Sequence, residues 1–266
     1  MNRLLTLSAV LLLAGLSAAC PVTSSAQTPS PAVSGTSQQS TPTHDQEIIL
    51  RMQAQLQDWA NLHRYAAENA ALPPPAQGSA DRRVVFMGDS ITDGWGRAPG
   101  TGAFFPGKPY VNRGISGQTT PQMLVRFYPD VVRLHPDVVV ILAGTNDIAG
   151  NTGPETPDTI KGNIAAMADI AKSNGIRVVL ASITPAYVYP WKPEVRPTDE
   201  IRELNAWMKS YCGTKGCVYL NYFDAMADPK GAMLPGLSSD GVHPLAKGYA
   251  IMAPLAEQAI AEAESR

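Results

Sequence analysis

The sequence predicts an α/β domain in which a parallel sheet is covered by helices on both faces, and three observations predict it. Five short apolar runs, rich in Val, Ile and Leu, recur between residues 84 and 221, and each reads as a strand buried on both sides. Stretches with apolar residues at helical spacing alternate with them, as a layered α/β sheet requires. No internal repeat and no second core interrupts the pattern, so a single three-layer domain is expected within the 266 residues.

The chain opens Met1-Asn2-Arg3, is apolar from Leu4 to Leu16, and continues Ser17-Ala18-Ala19-Cys20. One positive charge, a short apolar core and small residues read as a secretory signal, too short for a convincing membrane span. Residues 1–20 resemble the bacterial lipoprotein signal, in which the cysteine becomes the lipidated first residue. Leu16 stands one place further upstream than is usual there, with Ser17 in its position. Cleavage after Ala26 is the alternative and would discard Cys20. Either route takes the mature protein out of the cytoplasm, as a periplasmic or cell-envelope lipoprotein tethered through Cys20 or as a secreted protein.

Residues 21–45 are rich in Ser, Thr, Pro and Gln and read as a disordered tether. Next, Ile48, Ile49, Met52, Leu56, Trp59, Leu62 and Ala66 recur three and four apart. They predict an N-terminal helix within 46–75, stopped by Pro73-Pro74-Pro75 and docked by its apolar stripe on the following domain. A membrane or partner surface for that stripe is the other reading.

The domain itself is expected over residues 80–266. Strands are predicted at Val84–Met87, Tyr110–Asn112, Val138–Ala143, Arg177–Ser182 and Val218–Asn221, with helices at Pro121–Leu134, Pro157–Asn174, Thr198–Tyr211 and Leu245–Glu264. Gly175 supplies a helix stop and Asp158 an acidic first turn. Cys212 and Cys217 form an even pair in an oxidising compartment and predict a disulfide across Gly213-Thr214-Lys215-Gly216, the alternative being two free thiols. No histidine stands near them in sequence, which argues against a metal site. A net charge of −2 leaves no basic footprint for nucleic acid.

Four polar stretches carry the chemistry. Gly88-Asp89-Ser90 follows the first strand, Asn112-Arg113-Gly114-Ile115-Ser116-Gly117-Gln118 the second, and Gly144-Thr145-Asn146-Asp147 the third. In a parallel sheet these three loops gather at one edge. The fourth, Ser238 to Pro244, precedes the last helix and contains Asp240 and His243. Acyl transfer needs a hydroxyl nucleophile, a base, a group that orients the base, and donors for an oxyanion. Of four histidines, His44 lies in the tether, His63 on the N-terminal helix and His135 at the entry to the third strand. His243 alone sits in a polar loop able to reach the right edge, with Asp240 three residues earlier. Taken singly, each motif also reads as ordinary capping and turn chemistry.

Together these stretches resemble the SGNH (GDSL-like) hydrolase superfamily over roughly residues 80–264, in the family's order. Ile91 replaces the eponymous leucine. The resemblance implies a flavodoxin-like αβα sandwich with a five-stranded parallel sheet, and neither metal nor organic cofactor. It implies Ser90 as nucleophile, Asp240 and His243 as acid and base, and the Ser90 and Gly117 N–H groups with the Asn146 amide as the oxyanion hole. Gly117 is preferred to Gly114 because the family motif places that glycine just before the helix. The expected protein is an extracytoplasmic serine esterase acting on a small-molecule, carbohydrate or lipid ester. A non-catalytic carbohydrate-binding module is the competing class. A flavodoxin-like cofactor protein is disfavoured, since the first βα loop lacks a phosphate cradle. Two aromatic groups stand ready to wall a pocket or simply to pack loops: Trp95, Phe104 and Phe105, and the Thr184–Pro193 loop with Tyr187, Tyr189 and Trp191. Nothing in the sequence specifies an oligomeric state.

Overall fold

The computed structural model describes residues 43–75 and 82–266. The signal, Cys20 and most of the expected tether lie outside the described residues. Five parallel strands, β1 (Val84–Gly88), β2 (Tyr110–Gly114), β3 (Val138–Leu142), β4 (Arg177–Ala181) and β5 (Val218–Leu220), form one sheet in the order β2-β1-β3-β4-β5. Each lies within two residues of its expected span. Every residue of β1 and β3 is buried, which is why they read as unbroken apolar runs.

Alternate residues of β1 and β3 face opposite layers. Val85, Met87, Val139 and Ile141 pack with Met123 and Phe127 of α4 (Thr120–Asp130) and Ile160 and Ile164 of α6 (Pro157–Ser173). The same layer holds Ile201 and Leu204 of α7 (Thr198–Lys215). Phe86, Val140 and Leu142 face the other side, against Tyr249, Met252 and Ile260 of α9 (Ala246–Ser265). Register pairs Gly88 with both Gly114 and Leu142, so β1, β2 and β3 end level and their following loops share one edge. Single-turn helices start at two of those loops, α3 (Ser90–Gly94) and α5 (Thr145–Ile148), and a third, α8 (Phe223–Met226), follows β5.

The N-terminal segment departs from expectation. His44 and Asp45, read as tether, open α1 (His44–Gln57), and a separate α2 (Ala66–Ala71) follows. Asp58 breaks the helix: its carboxylate accepts from the Leu62 N–H at 2.7 Å and the His63 N–H at 3.0 Å, and Asn61 turns at φ 55°. The predicted stripe does not dock. Ile48, Ile49, Met52 and Leu56 of α1 stay exposed, Leu56 by 81%. Ala60 and Tyr65, beyond the break, are the residues that bury.

Two other ends differ in detail. α4 stops at Asp130, after Pro129, and a 3-10 turn at Val132–Leu134 completes the stretch predicted as helix. Cys212 and Cys217 do form a disulfide, but Cys212 to Lys215 are the last turn of α7 and only Gly216, at φ 73°, is the stop. The bond therefore ties a helix end to the entry of β5.

Candidate active site

At Gly88 a Cβ would lie 2.1 Å from Thr92 Oγ1 and 2.9 Å from the Leu142 carbonyl, so only glycine allows the tight turn out of β1. Asp89, fully buried, caps α3 by accepting the Ile91 N–H at 2.9 Å. Ser90 is thereby set at the first turn of α3. Its Oγ lies 2.9 Å from His243 Nε2, and His243 Nδ1 lies 2.6 Å from Asp240 Oδ2. The other Asp240 oxygen accepts the N–H groups of Val242 at 2.9 Å and His243 at 2.8 Å. Partial burial pushes the Asp240 carboxyl up, but these bonds from His243 and Val242, with one from the Ser238 hydroxyl, outweigh it and hold the group well below its usual range. The structure thus brings three of the expected residues into one hydrogen-bonded row.

The remaining expected residues sit on neighbouring loops. Gly117 adopts φ 79°, which a side chain would strain. The Gly114 N–H is already given to Asn112 Oδ1 at 2.9 Å, and its carbonyl accepts from the Tyr65 hydroxyl. The Asn146 amide donates to the Gln118 carbonyl at 3.0 Å and retains a second proton. Its oxygen accepts from Asn151 at 2.8 Å, fixing which way the amide points.

Sequence reasoning missed Asn151 and Arg126. Asn151 donates to Asn146 and, at 3.4 Å, to the Gly117 carbonyl, and it accepts from Trp191 Nε1 at 3.3 Å. The signal for it was a polar turn, Gly150-Asn151-Thr152-Gly153, close behind the third block. Arg126, wholly buried, donates to the carbonyls of Gly88 at 3.0 Å and Arg113 at 2.8 Å, to Asp130 at 3.1 Å, and to the Gln118 side chain. Nothing in a helical pattern marks an arginine as interior. Burial also pushes two carboxyls up to about 6: Asp89, and Asp147, which accepts the Thr120 N–H and hydroxyl across the loops.

The two aromatic groups separate. Trp191 stands beside His243, ring centres 5.8 Å apart, with Tyr189 stacked behind it at 5.1 Å. Trp95, Phe104 and Phe105 instead pack around Phe86 and Tyr249 in the α9-side layer, so they do not wall the site. His63 bonds Asp58, and His135 precedes β3 at the opposite end of the sheet. Among the described residues no cluster of three or more His, Cys, Asp or Glu could hold a metal ion.

The GDSL-like Lipase/Acylhydrolase family model matches residues 86–251. The chain belongs to that family. A GDSL-like lipase from Bacteroides thetaiotaomicron is 46% identical, with 77% of this chain and 99% of that one covered and a TM-score of 0.73. An acetylxylan esterase from Geobacillus stearothermophilus shares the fold at 22% identity, covering 67% and 94% of the two chains with a TM-score of 0.53. A curated acetylxylan esterase from the same organism is 36% identical over a stretch that takes in 25% of this chain and 40% of that protein. This chain thus spans two fifths of that relative's length. Membership of the GDSL-like family places the protein among hydrolases that act on esters.

Proposed function

We propose that this protein is an extracytoplasmic serine esterase that hydrolyses its substrate through an acyl-enzyme on Ser90. The observation that carries the reading is the row Ser90–His243–Asp240, at 2.9 and 2.6 Å. Ser90 Oγ attacks the ester carbonyl as His243 Nε2 takes its proton. The tetrahedral oxyanion is held by the Ser90 and Gly117 N–H groups and the Asn146 amide. Its collapse breaks the bond to the alkoxy oxygen, which receives the proton from His243 and leaves as the alcohol. Water then attacks the acyl group with His243 as base again, and Ser90 regains its proton as the acid departs. Asp240 keeps the imidazole in the tautomer with Nδ1–H and stabilises the imidazolium. A carbohydrate-binding module without activity would have no use for this intact row.

The signal-like start and the Cys212–Cys217 disulfide support the extracytoplasmic location. Lipidation of Cys20 is part of the same proposal. The purified protein should hydrolyse p-nitrophenyl acetate and lose that activity to a serine-directed phosphonate, with the mass increment on the Ser90 peptide. Undiminished activity after phosphonate treatment, or labelling at another serine, overturns the Ser90 assignment.

A further inference from the structure

We propose that the cleft of about 710 Å³ between the Gln55–Asn61 segment and the loop carrying Gly117 binds a carbohydrate, so that the ester cleaved at Ser90 is one borne on a sugar. The proposal rests on the esterase reading above and names the substrate class for the same site.

Position is the first argument. Gly117 and Asn151 line the cleft, and both belong to the hydrogen-bonded group around Asn146. A ligand held there has its near end beside the groups assigned to the oxyanion. The volume falls within the usual range of small-molecule sites, about 300–1,000 Å³.

The far wall is anchored. Gln118 Nε2 donates to the Ala60 carbonyl at 2.8 Å and Gln122 Nε2 to the Trp59 carbonyl at 2.7 Å, both glutamines being buried. Tyr65, wholly buried, reaches the Gly114 carbonyl and accepts from Arg97 at 2.7 Å, securing the chain just beyond. The segment that carries Trp59 is therefore fixed onto the loop it faces. It also lies outside the 86–251 family match, so this wall is a feature that family membership does not supply.

Chemistry selects the ligand. Gln55 and Asn61 present amides and Trp59 an indole that is 41% exposed, while the Ser116 hydroxyl, given to Asp93 at 2.7 Å, and the Thr152 hydroxyl, paired with Thr119 at 2.8 Å, keep acceptor lone pairs for a ligand. Among the described residues Ala54 and Ile115 are the only aliphatic side chains in the lining, too few for a long acyl chain. Among the described residues no lysine or arginine lines the cleft and Asp58 does, which disfavours a phosphate headgroup. A neutral polyhydroxyl ligand suits the amides, which can both donate and accept, and its C–H faces can pack on the indole.

The test compares kcat/KM on acetylated xylo-oligosaccharides with kcat/KM on p-nitrophenyl acetate, which is too small to fill the cleft. In Trp59→Ala and in Asn61→Gly the ratio of the two should fall by about tenfold or more, mainly through KM on the sugar ester. Glycine accepts the left-handed backbone at residue 61, so this second variant keeps the fold. Tyr128→Ala, exposed on α4, is the control and should keep the wild-type ratio. An unchanged ratio in both cleft variants overturns the carbohydrate subsite while the esterase reading stands. Wild type that cleaves p-nitrophenyl acetate but not the sugar esters does the same. Folded wild type that cleaves neither overturns the esterase reading and this proposal with it.

Discussion

Arg126 Nη2 donates to the Gly88 carbonyl at 3.0 Å, so a guanidinium with no solvent exposure holds the strand end from which Ser90 is presented. The same side chain reaches the Arg113 carbonyl and the Gln118 amide oxygen, tying β1, β2 and the Gly117 loop into one unit. Among the described residues Asp130, 1% exposed, is its only salt-bridge partner, at 3.1 Å. Arg126→Ala would leave that carboxylate buried without its counter-charge, with the Asn69 amide still donating to it at 2.7 Å, and would take one donor from each of two carbonyls. Stability should drop by about 3–5 kcal/mol, read by urea denaturation. A loss below about 1 kcal/mol would mean that water replaces the guanidinium without cost.

Ser90→Ala should remove esterase activity while leaving the thermal midpoint near that of wild type, because it deletes one hydroxyl. His243→Ala should be almost as damaging, since groups that act as a unit fail together; a loss of about 10⁴-fold or more in kcat is expected for each. Steady-state rates on a chromogenic ester decide it, and wild-type kcat in either folded variant would sink the mechanism.

Asn146→Ala should lower kcat by about 10²–10³-fold with little change in KM, because the amide acts on charge that develops during attack. Asn151→Ala leaves that amide in place but frees it to rotate, so a smaller loss, again in kcat, is expected. Equal losses on p-nitrophenyl acetate, which does not fill the cleft, would mean that Asn146 cannot keep its amide in place at all without Asn151.

Asp89 and Asp147 carry folded-state pKa values of about 6 against an ordinary value of 3.8, because burial disfavours their charge. The folded protein then retains protons that the unfolded chain releases, so stability should fall as pH rises from about 4 to about 6. Each group costs up to about 3 kcal/mol, at 1.36 kcal/mol per pKa unit. Asp240 acts oppositely: its lowered pKa makes it stabilising above its ordinary value of 3.8, and that contribution is lost only as pH falls below it. Asp89→Asn keeps an acceptor for the Ile91 N–H and should flatten part of the pH 4–6 decline in calorimetric midpoints. A midpoint that climbs through this window in wild type would refute the assignment.

Under the proposed lipidation, Cys20 governs location. The full precursor expressed in a bacterium with labelled palmitate should take up label and partition with membranes, and Cys20→Ala should do neither. Wild type that stays unlabelled and soluble, like the variant, would point to cleavage after Ala26 and a secreted enzyme.

The sheet was legible because burial on both faces forces unbroken runs such as Val138–Leu142, a pattern that polar elements do not mimic. Ser90 and His243 could be paired in advance because topology fixes which loops meet, although they stand 153 positions apart in sequence. The helix break at Asp58 was not legible, since apolar spacing continues from Ile48 to Ala66 straight through it. The break is made by one carboxylate capping two N–H groups, a local contest that periodicity does not register. Trp95 and Trp191 looked alike as pocket aromatics, yet the first lies in the core and the second against His243. Their difference is set by which layer each loop folds over, and that is a tertiary fact.

The anchoring of the Gln55–Asn61 wall uses main-chain carbonyls, at Trp59 and Ala60, and not side chains. Every residue type supplies a carbonyl, so Gln118 and Gln122 place no demand on what residues 55, 59 and 61 are. Support and the proposed selectivity are thereby uncoupled along seven residues of backbone. An indole at residue 59 can be exchanged for an aliphatic chain, or the amide at residue 55 for a cation, without loosening the scaffold beneath, whereas the left-handed backbone at residue 61 keeps that position to Asn or Gly. On the proposed reading the segment is a replaceable lip on a fixed scaffold, and substitutions at residues 55 and 59 would change sugar preference before they changed stability.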